Sequence, residues 1–448
     1  MKDNQLIQNP VESLEKGDAT AVLQFVETAH PADVAALLDA LESDVARDHL
    51  LALPLLRRTE VFSYLRPESQ VSLAERLDRR QLAEIMTQMN PDDRADLFNR
   101  LTTEQQNLLL PGLAHAERED TRRLAAYAEG TAGAIMTSEY ATLRPGLTAR
   151  EALDALRREA PDKETIYRTY VIDGSRRLIG SLRLQALILA EPGAKVEELM
   201  EHETLAVSID QDQEEVARRI AHYDVLAVPV VDREHRLVGV VTHDDALDAL
   251  QEEATEDFHL IGTVGKLSES VREASVTLLY RKRVLWLALL VFGNLFSGAG
   301  IAYFEDTIAA HVALVFFLPL LIGSSGNAGS QAATLMVRAL ATGDVVIRDW
   351  GQMLGRELLI ALALGATMAA AVAPIGLVRG GTQIALIVAL TMVLVVFAGS
   401  LIGMSLPFLL NRFRLDPATA SAPLVTTIAD AVGVVIYFTI ATAFLIQA

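Results

Sequence analysis

The spacing of apolar residues changes character twice along the chain. Up to about residue 130 they recur every three to four positions in short runs closed by proline or polar residues. "HPADVAALLDAL" (30–41) and "NPDDRADLFNRL" (90–101) share this plan, and "RRTEVFSYLRPE" and "RRQLAEIMTQMNPD" repeat it more loosely. Pro31 and Pro91 fit a first helical turn, where a missing N–H costs nothing. The expectation is a stack of short helices, an all-α solenoid N domain over 1–130, with a plain helical bundle as the alternative.

From 131 to 250 the pattern becomes strand–helix–strand–turn–strand–helix, twice. "YATLRPG", "TYVIDGSRRLIGSL", "TLAVSID" and "LAVPVVDREHRLVGVVT" are β-rich, and "LTAREALDALRREA" and "DQEEVARRIAHYD" between them are helical. Asp173, Leu178 and Gly180 match Asp232, Leu237 and Gly239 at a constant offset of 59. This predicts a tandem α/β module. Residues 251–283 then read as a connecting helix, acidic at its start and basic at its end. Beyond it lie five apolar stretches, about 284–303, 309–338, 354–377, 383–410 and 421–447, within a transmembrane domain over 284–448. Each reaches the roughly 20 residues that cross a bilayer.

Charge divides the chain in the same place. The net formal charge is −19, yet from Arg281 onward there are nine basic and seven acidic residues, against thirty and fifty-one before it. A polyanionic soluble part attracts cations and repels nucleic acid, so no nucleic-acid partner is expected; the bland reading of the acidity is solubility. The 448 residues bound the chain to two to four domains. The absence of cysteine excludes disulfides and thiolate metal sites.

The N-terminal "MKDNQLIQNPVESLEKGD" lacks the apolar core of a signal peptide. Arg281, Lys282 and Arg283 precede the first span, Arg338, Arg348 and Arg356 surround the second connection, and Arg412 and Arg414 lie in the fourth. The first and third connections hold only Arg379, with Glu305 and Asp306. That bias places the N-terminus in the cytoplasm and, after five spans, the C-terminus outside.

Two features carry chemistry. In the second span, "FLPLLIGSSGNAGSQAATLMVRALATGD", Pro319, Gly323, Gly326 and Gly329 are expected to break or loosen the helix, while Asn327 and Gln331 make its middle polar. Close helix packing explains the glycines; it does not explain both amides, which favour a pore lining. In the fifth span Asp430 is the only residue of 421–446 with a side chain that is ordinarily charged at neutral pH. A mid-membrane carboxylate costs roughly 2.5–3.5 kcal/mol to insert and marks a functional site by default, against the alternative of a protonated acid bonded to a neighbouring helix. With Thr426 before it and Gly433 after it, Asp430 makes a hard oxygen site suited to Mg²⁺ or Ca²⁺.

The paired α/β copies resemble tandem CBS domains, and the whole chain resembles the MgtE family of magnesium channels and transporters. The motifs that carry the resemblance are "TAGAIMTSEY", "EEATED" at 252–257, "PLLIGSSGNAGSQAATLMVRALATGD" and "DPATASAPLVTTIADAVGVVIYF". The resemblance implies a homodimer of the bacterial inner membrane with its pore on the twofold axis. Asp430 matches the family's pore acid; beside it, the polar and small residues Asn327, Gln331, Thr426 and Gly433 are the ones expected from the sequence to line the path. It also implies that intracellular Mg²⁺ shuts the pore through the connecting, or plug, helix. Candidate sensor acids are Asp92 and Asp96, four apart on one helix face; Asp212, Glu214, Asp224, Asp244, Asp245 and Asp248 of the second copy; and Glu252, Glu253, Glu256 and Asp257 at the start of the plug.

The family's CBS pair also binds ATP. Here the second copy has Gly239, Thr242 and Asp245 where the first has Gly180, Arg183 and Ala186, so a ribose-binding Asp is missing and ATP is not expected to bind. The alternatives are a broader channel that also carries Co²⁺ or Ni²⁺, and a membrane-anchored CBS sensor without transport. An enzyme is not expected. There is no nucleophile–base pair, and "GSSGNAGSQ" lies inside a span, where a nucleotide loop is the weaker reading.

Overall fold

The computed structural model describes residues 25–262, 264–265, 274–413 and 415–446. Residues 266–273 of the expected connecting helix, and Arg414 of the topology argument, lie outside the described residues. Two compact units divide at Glu253 and Ala254.

From Pro31 to Leu124 the first unit has eight short α-helices: α1 (Pro31–Leu38), α2 (Ser43–Ala52), α3 (Leu55–Ser63), α4 (Pro67–Ala74), α5 (Arg79–Gln88), α6 (Pro91–Arg100), α7 (Thr103–Leu109) and α8 (His115–Leu124). Proline opens α1, α4 and α6, and reciprocal capping boxes open α5 (Asp78 with Gln81) and α7 (Thr102 with Gln105). Each helix packs on the one two ahead of it. The odd and even helices therefore form two stacked rows, as a solenoid requires, around a shared core that includes Leu37, Phe62, Ile85 and Leu97.

Two three-stranded sheets follow. β1 (Tyr140–Leu143), β2 (Thr165–Ile172) and β3 (Leu178–Arg183) form one, with α9 (Ala149–Glu159) between β1 and β2; α10 (Leu184–Leu189) and α11 (Val196–Leu199) come after it. β4 (Val207–Ser208), β5 (Ala227–Val231) and β6 (Leu237–Thr242) form the other, with α12 (Gln213–Tyr223) between β4 and β5. In each sheet the first pair is parallel and the second antiparallel.

The offset of 59 now has a physical cause. Asp173 and Asp232 each accept two backbone N–H bonds, from Ser175 and Arg177 and from Glu234 and Arg236, which fixes the two hairpin turns. Arg176 and His235 take the same left-handed place in them. The repeats also interlock. A side chain on Gly180 would strike Met200, which leads into the second repeat, and one on Gly239 would strike Met136, which leads into the first. Backbone bridges Ser181–Glu201 and Thr137–Val240 secure each crossing.

Helix α13 (His243–Ile261) starts inside the second repeat and runs unbroken past residue 251, where a boundary was expected. Both ends of this helix hold acids: Asp244 and Asp245 in its first turn, Glu256 and Asp257 in its last turns.

Among the described residues, the second unit contains four apolar helices long enough to cross a bilayer. They are α14 (Val276–Tyr303), α16 (Ala313–Ala341), α17 (Trp350–Arg412) and α18 (Ala422–Ile446), with the short α15 (Glu305–Ala310) between the first two. Arg281, Lys282 and Arg283 sit in the opening turns of α14 rather than ahead of it. α17 turns back at Gly381, whose φ of 74° and ψ of −173° suit only glycine. Gly365 meets Val393 and Gly376 meets Ala385, so the limbs 350–380 and 382–412 pack antiparallel. Among the described residues the apolar unit thus has five long helical limbs. Contacts of Gly293 with Thr427 and of Gly300 with Val434 make α14 and α18 parallel, and contacts of Ser325 with Gly399 and of Gly329 with Gly403 make α16 parallel to the second limb of α17.

α16 is a continuous helix despite Pro319 and its glycines, so the expected break does not occur. Its glycines serve close packing: a side chain on Gly329 would come within 2.7 Å of the Gly399 carbonyl, and one on Gly326 within 2.7 Å of the Thr426 methyl.

Candidate metal sites

In the first unit, carboxylate oxygens of Asp92, Glu164 and Asp245 all lie within 4.8 Å of one another. Three elements deliver them. Asp92 is in the first turn of α6, Asp245 in the first turn of α13, and Glu164 immediately precedes β2. β2 is placed by its parallel pairing with β1, and the Glu164 N–H donates to the Glu139 carbonyl at 3.2 Å. The Thr242 hydroxyl donates to Asp245. Asp92 Oδ1 and Glu164 Oε2 are buried and have no hydrogen-bond partner.

Burial, and then the charges of Asp245 and Glu164, hold the Asp92 carboxyl well above the usual carboxylate range. Burial and Asp245 raise Glu164 to about 7, and burial with Asp244 and Asp93 raises Asp245 to about 6. At such separations each like-charged pair repels by roughly 3–4 kcal/mol at an effective dielectric near 20. Oxygens bound directly to one Mg²⁺ at 2.0–2.1 Å stand about 3–4 Å apart, so the donor set fits a hard divalent cation held directly or through water.

The repulsion extends along two helices. Asp93 of α6 interacts with Asp244 and Asp248 of α13, and Asp96 with Glu252. Asp93 and Asp248 are both raised, chiefly by burial. Asp96 also pairs with Arg100 at 3.8 Å.

The other candidate acids lie elsewhere. Asp212 caps α12, accepting from the Glu214 and Glu215 N–H groups at 3.0 and 3.1 Å. Glu214 pairs with Arg218. Asp224 ends α12 with a left-handed φ of 50°. Glu253 accepts from Gln213 Nε2 at 2.7 Å, and Glu256 and Asp257 lie on α13 beyond it. Glu164 escaped the sequence reading; the matching position of the second repeat is Tyr223, so the repeat carried no signal for it.

In the second unit, Ser330 Oγ lies 3.3 Å from Thr426 Oγ1 and 3.4 Å from the Ala422 carbonyl. Thr426 also donates back to Ala422 O at 2.7 Å. With Ser330 at Ala422 and Gly326 at Thr426, α16 and α18 run antiparallel. One turn further along α18, Asp430 comes level with Gly323, where a Cβ would meet nothing within 4 Å. Asp430 stands between the Thr427 face that meets α14 and the Thr426 face that meets α16. Asp430 Oδ1 is buried without a hydrogen-bond partner, as is Ser297 Oγ on α14.

Asn327 and Gln331 share an exposed face of α16 with Gly323 and Thr334. Ser324 and Ser325, by contrast, are buried, bonding the Leu320 carbonyl at 2.6 Å and the Val395 carbonyl at 2.8 Å. Exposed amides in an apolar helix need water or another polar surface at membrane depth. Gly433 is buried on the side of α18 that faces Val395.

The chain matches the family described as divalent cation transporter, MgtE, over residues 318–440, the MgtE intracellular N domain over 29–130, and CBS domains over 132–193 and 196–252. A magnesium transporter MgtE of Thermus thermophilus is 40% identical over 437 residues, 96% of each chain. This chain belongs to the MgtE family. The MgtE magnesium transporter of Bacillus subtilis is 32% identical, over 99% of this chain and 98% of its own. Among solved structures, the cytosolic domain of the Mg²⁺ channel MgtE in complex with ATP is 41% identical, with a TM-score of 0.51, and covers 54% of this chain and 99% of its own. MgtE proteins are thus similar to this chain across its soluble and apolar parts alike.

Proposed function

We propose that this MgtE chain is a Mg²⁺-selective channel of the bacterial inner membrane that imports Mg²⁺ and is shut by Mg²⁺ inside the cell. The observation that carries the transport reading is Asp430, a carboxylate with an unpartnered oxygen on an apolar helix, level with open space at Gly323. A second copy across a twofold axis would bring a second Asp430 to the same path. Mg²⁺ dehydrates reluctantly, so two carboxylates would hold it through its water shell. Asn327 and Gln331 would meet that water on the exposed face of α16.

The regulatory reading rests on the Asp92–Glu164–Asp245 cluster and the facing acids of α6 and α13. Without a divalent cation these surfaces repel, and the N domain separates from the CBS pair. With Mg²⁺ bound they close, and α13, whose first turn carries Asp244 and Asp245, favours the shut pore. The ion shifts the equilibrium by binding one state better than the other. Lipid surrounds the apolar unit, the N-terminus is cytoplasmic and the C-terminus lies outside.

The deciding experiment is Mg²⁺ influx into proteoliposomes containing the Asp430→Ala protein. Influx is expected to fall at least tenfold; unchanged flux with unchanged half-saturation would falsify the pore site.

A further inference from the structure

Two separate lines join α6 to the segment 137–139. One passes through the carboxylate cluster: Asp92 on α6 faces Glu164, whose N–H is bonded to the Glu139 carbonyl and whose side chain is bonded by Thr137. The other needs no cation. Arg94, two residues after Asp92, reaches Asp120 Oδ2 of α8 at 3.5 Å with its Nη2, and the same oxygen accepts the Ser138 hydroxyl at 2.7 Å. Arg123 holds the second oxygen of Asp120 at 2.5 Å. The Arg94 side chain is only 4% exposed and that of Asp120 only 21%, so this is an interior connection. Arg94 also donates to the Met86 carbonyl at 3.4 Å, which anchors it in the solenoid.

We infer that Asp120 is a positioning residue for the cation-sensing cluster: through Arg94 and Ser138 it holds the helix bearing Asp92 in register with the segment that fixes Glu164. This rests on the regulatory reading above. The geometry is that of a latch across the N domain and the CBS pair. Ala95 of α6 and Leu124 of α8 pack into the core of the second repeat beside Met136 and Val216, so Arg94 and Asp120 sit at that seam. The three carboxylates push the seam apart when no cation is bound. The latch is a protein-only attraction across it, and its strength sets how much Mg²⁺ is needed to close.

The test is limited proteolysis of the full-length protein in detergent across a Mg²⁺ titration, with thermal melting in chelator as the control for folding. Ser138→Ala removes one bond and leaves the Arg94–Asp120 pair in place, so a buried charge is not stranded. The Mg²⁺ concentration for half-maximal protection is expected to rise two- to tenfold, with full protection at saturating Mg²⁺ and an unchanged melting temperature. Ser138→Thr, which keeps the hydroxyl, is expected to restore the midpoint, and Asp120→Asn to shift it at least as far as Ser138→Ala.

A wild-type midpoint in Ser138→Ala and Asp120→Asn, with a raised midpoint in Glu164→Gln, would overturn the latch and leave the sensor standing. A wild-type midpoint in Asp92→Asn and Glu164→Gln would instead remove the sensor reading itself. A lower melting temperature with an unmoved midpoint would make Asp120 a purely structural residue and overturn the proposal. If Asp120→Asn does not fold, Ser138→Ala decides alone.

Discussion

The hydroxyls of Ser330 and Thr426 stand 3.3 Å apart across α16 and α18, at the level where Gly326 admits the Thr426 methyl. That contact sets how closely the two helices approach beside Asp430. Gly326→Leu therefore has to push α18 away. It is expected to destabilise the fold by about 1–3 kcal/mol, read as a lower melting temperature in detergent, and to abolish Mg²⁺ influx.

Asn327→Leu and Gln331→Leu test the polar face of α16. Neither amide is buried against its own chain, so both variants should fold with near wild-type melting temperatures. Mg²⁺ influx is expected to fall severalfold in each. Wild-type influx in both would mean that this face meets something other than the ion path.

Glu164→Gln removes one charge from a crowded site, and its two effects have opposite signs. In chelator the repulsion among Asp92, Glu164 and Asp245 is smaller, so protection from proteolysis rises. In Mg²⁺ a ligand charge is lost, so the half-protecting concentration rises severalfold. A variant that moved neither quantity would exclude Glu164 from the cluster's work.

The pH dependence has a definite sign. Glu164 is raised from 4.5 to about 7 and Asp245 from 3.8 to about 6, so the docked state binds more protons than a state with the acids in water. The stability this gives the cation-free docked state is fully present below about pH 4 and is lost as pH rises through 6 to 7. In chelator, protection should be greater at pH 5 than at pH 7.5. Mg²⁺ needs the ionised carboxylates, so its apparent affinity should rise over the same window. Proteolysis across pH with and without Mg²⁺ measures both trends.

Gly381 tests the hairpin of α17. Its backbone angles are essentially glycine-only, so Gly381→Ala should cost about 1–3 kcal/mol. Thermal melting in detergent is the measurement; an unchanged melting temperature would show that the turn relaxes into another conformation.

The parts legible in the sequence were those where a residue breaks its local pattern. Asp430, Asn327 and Gln331 stand out because the residues around them suit hydrocarbon, and Asp92 and Asp245 because acids recur at helical spacing. Glu164 could not stand out: it is one acid in the polar stretch "PDKET" before a strand, and it takes both the pairing of β2 with β1 and the packing of α6 on the second repeat to bring it beside Asp92. The glycines of α16 misled for a related reason. A sequence shows that a side chain is missing but not what fills the space, and here the Gly399 and Gly403 backbone does. Asp212 looked like a ligand candidate, yet its place before α12 is the ordinary one for a helix cap.

The crossing of Met136 over Gly239 has a consequence for synthesis. The first repeat begins at its own lead-in, but the glycine seat for that methionine emerges about a hundred residues later. Met200 waits for nothing, because Gly180 has already been made. The growing chain must therefore hold an unfinished first repeat until β6 arrives, and both repeats then close together as one unit. Only α13, whose Ala246 belongs to the core of the second repeat, has still to be added to the soluble part after that step.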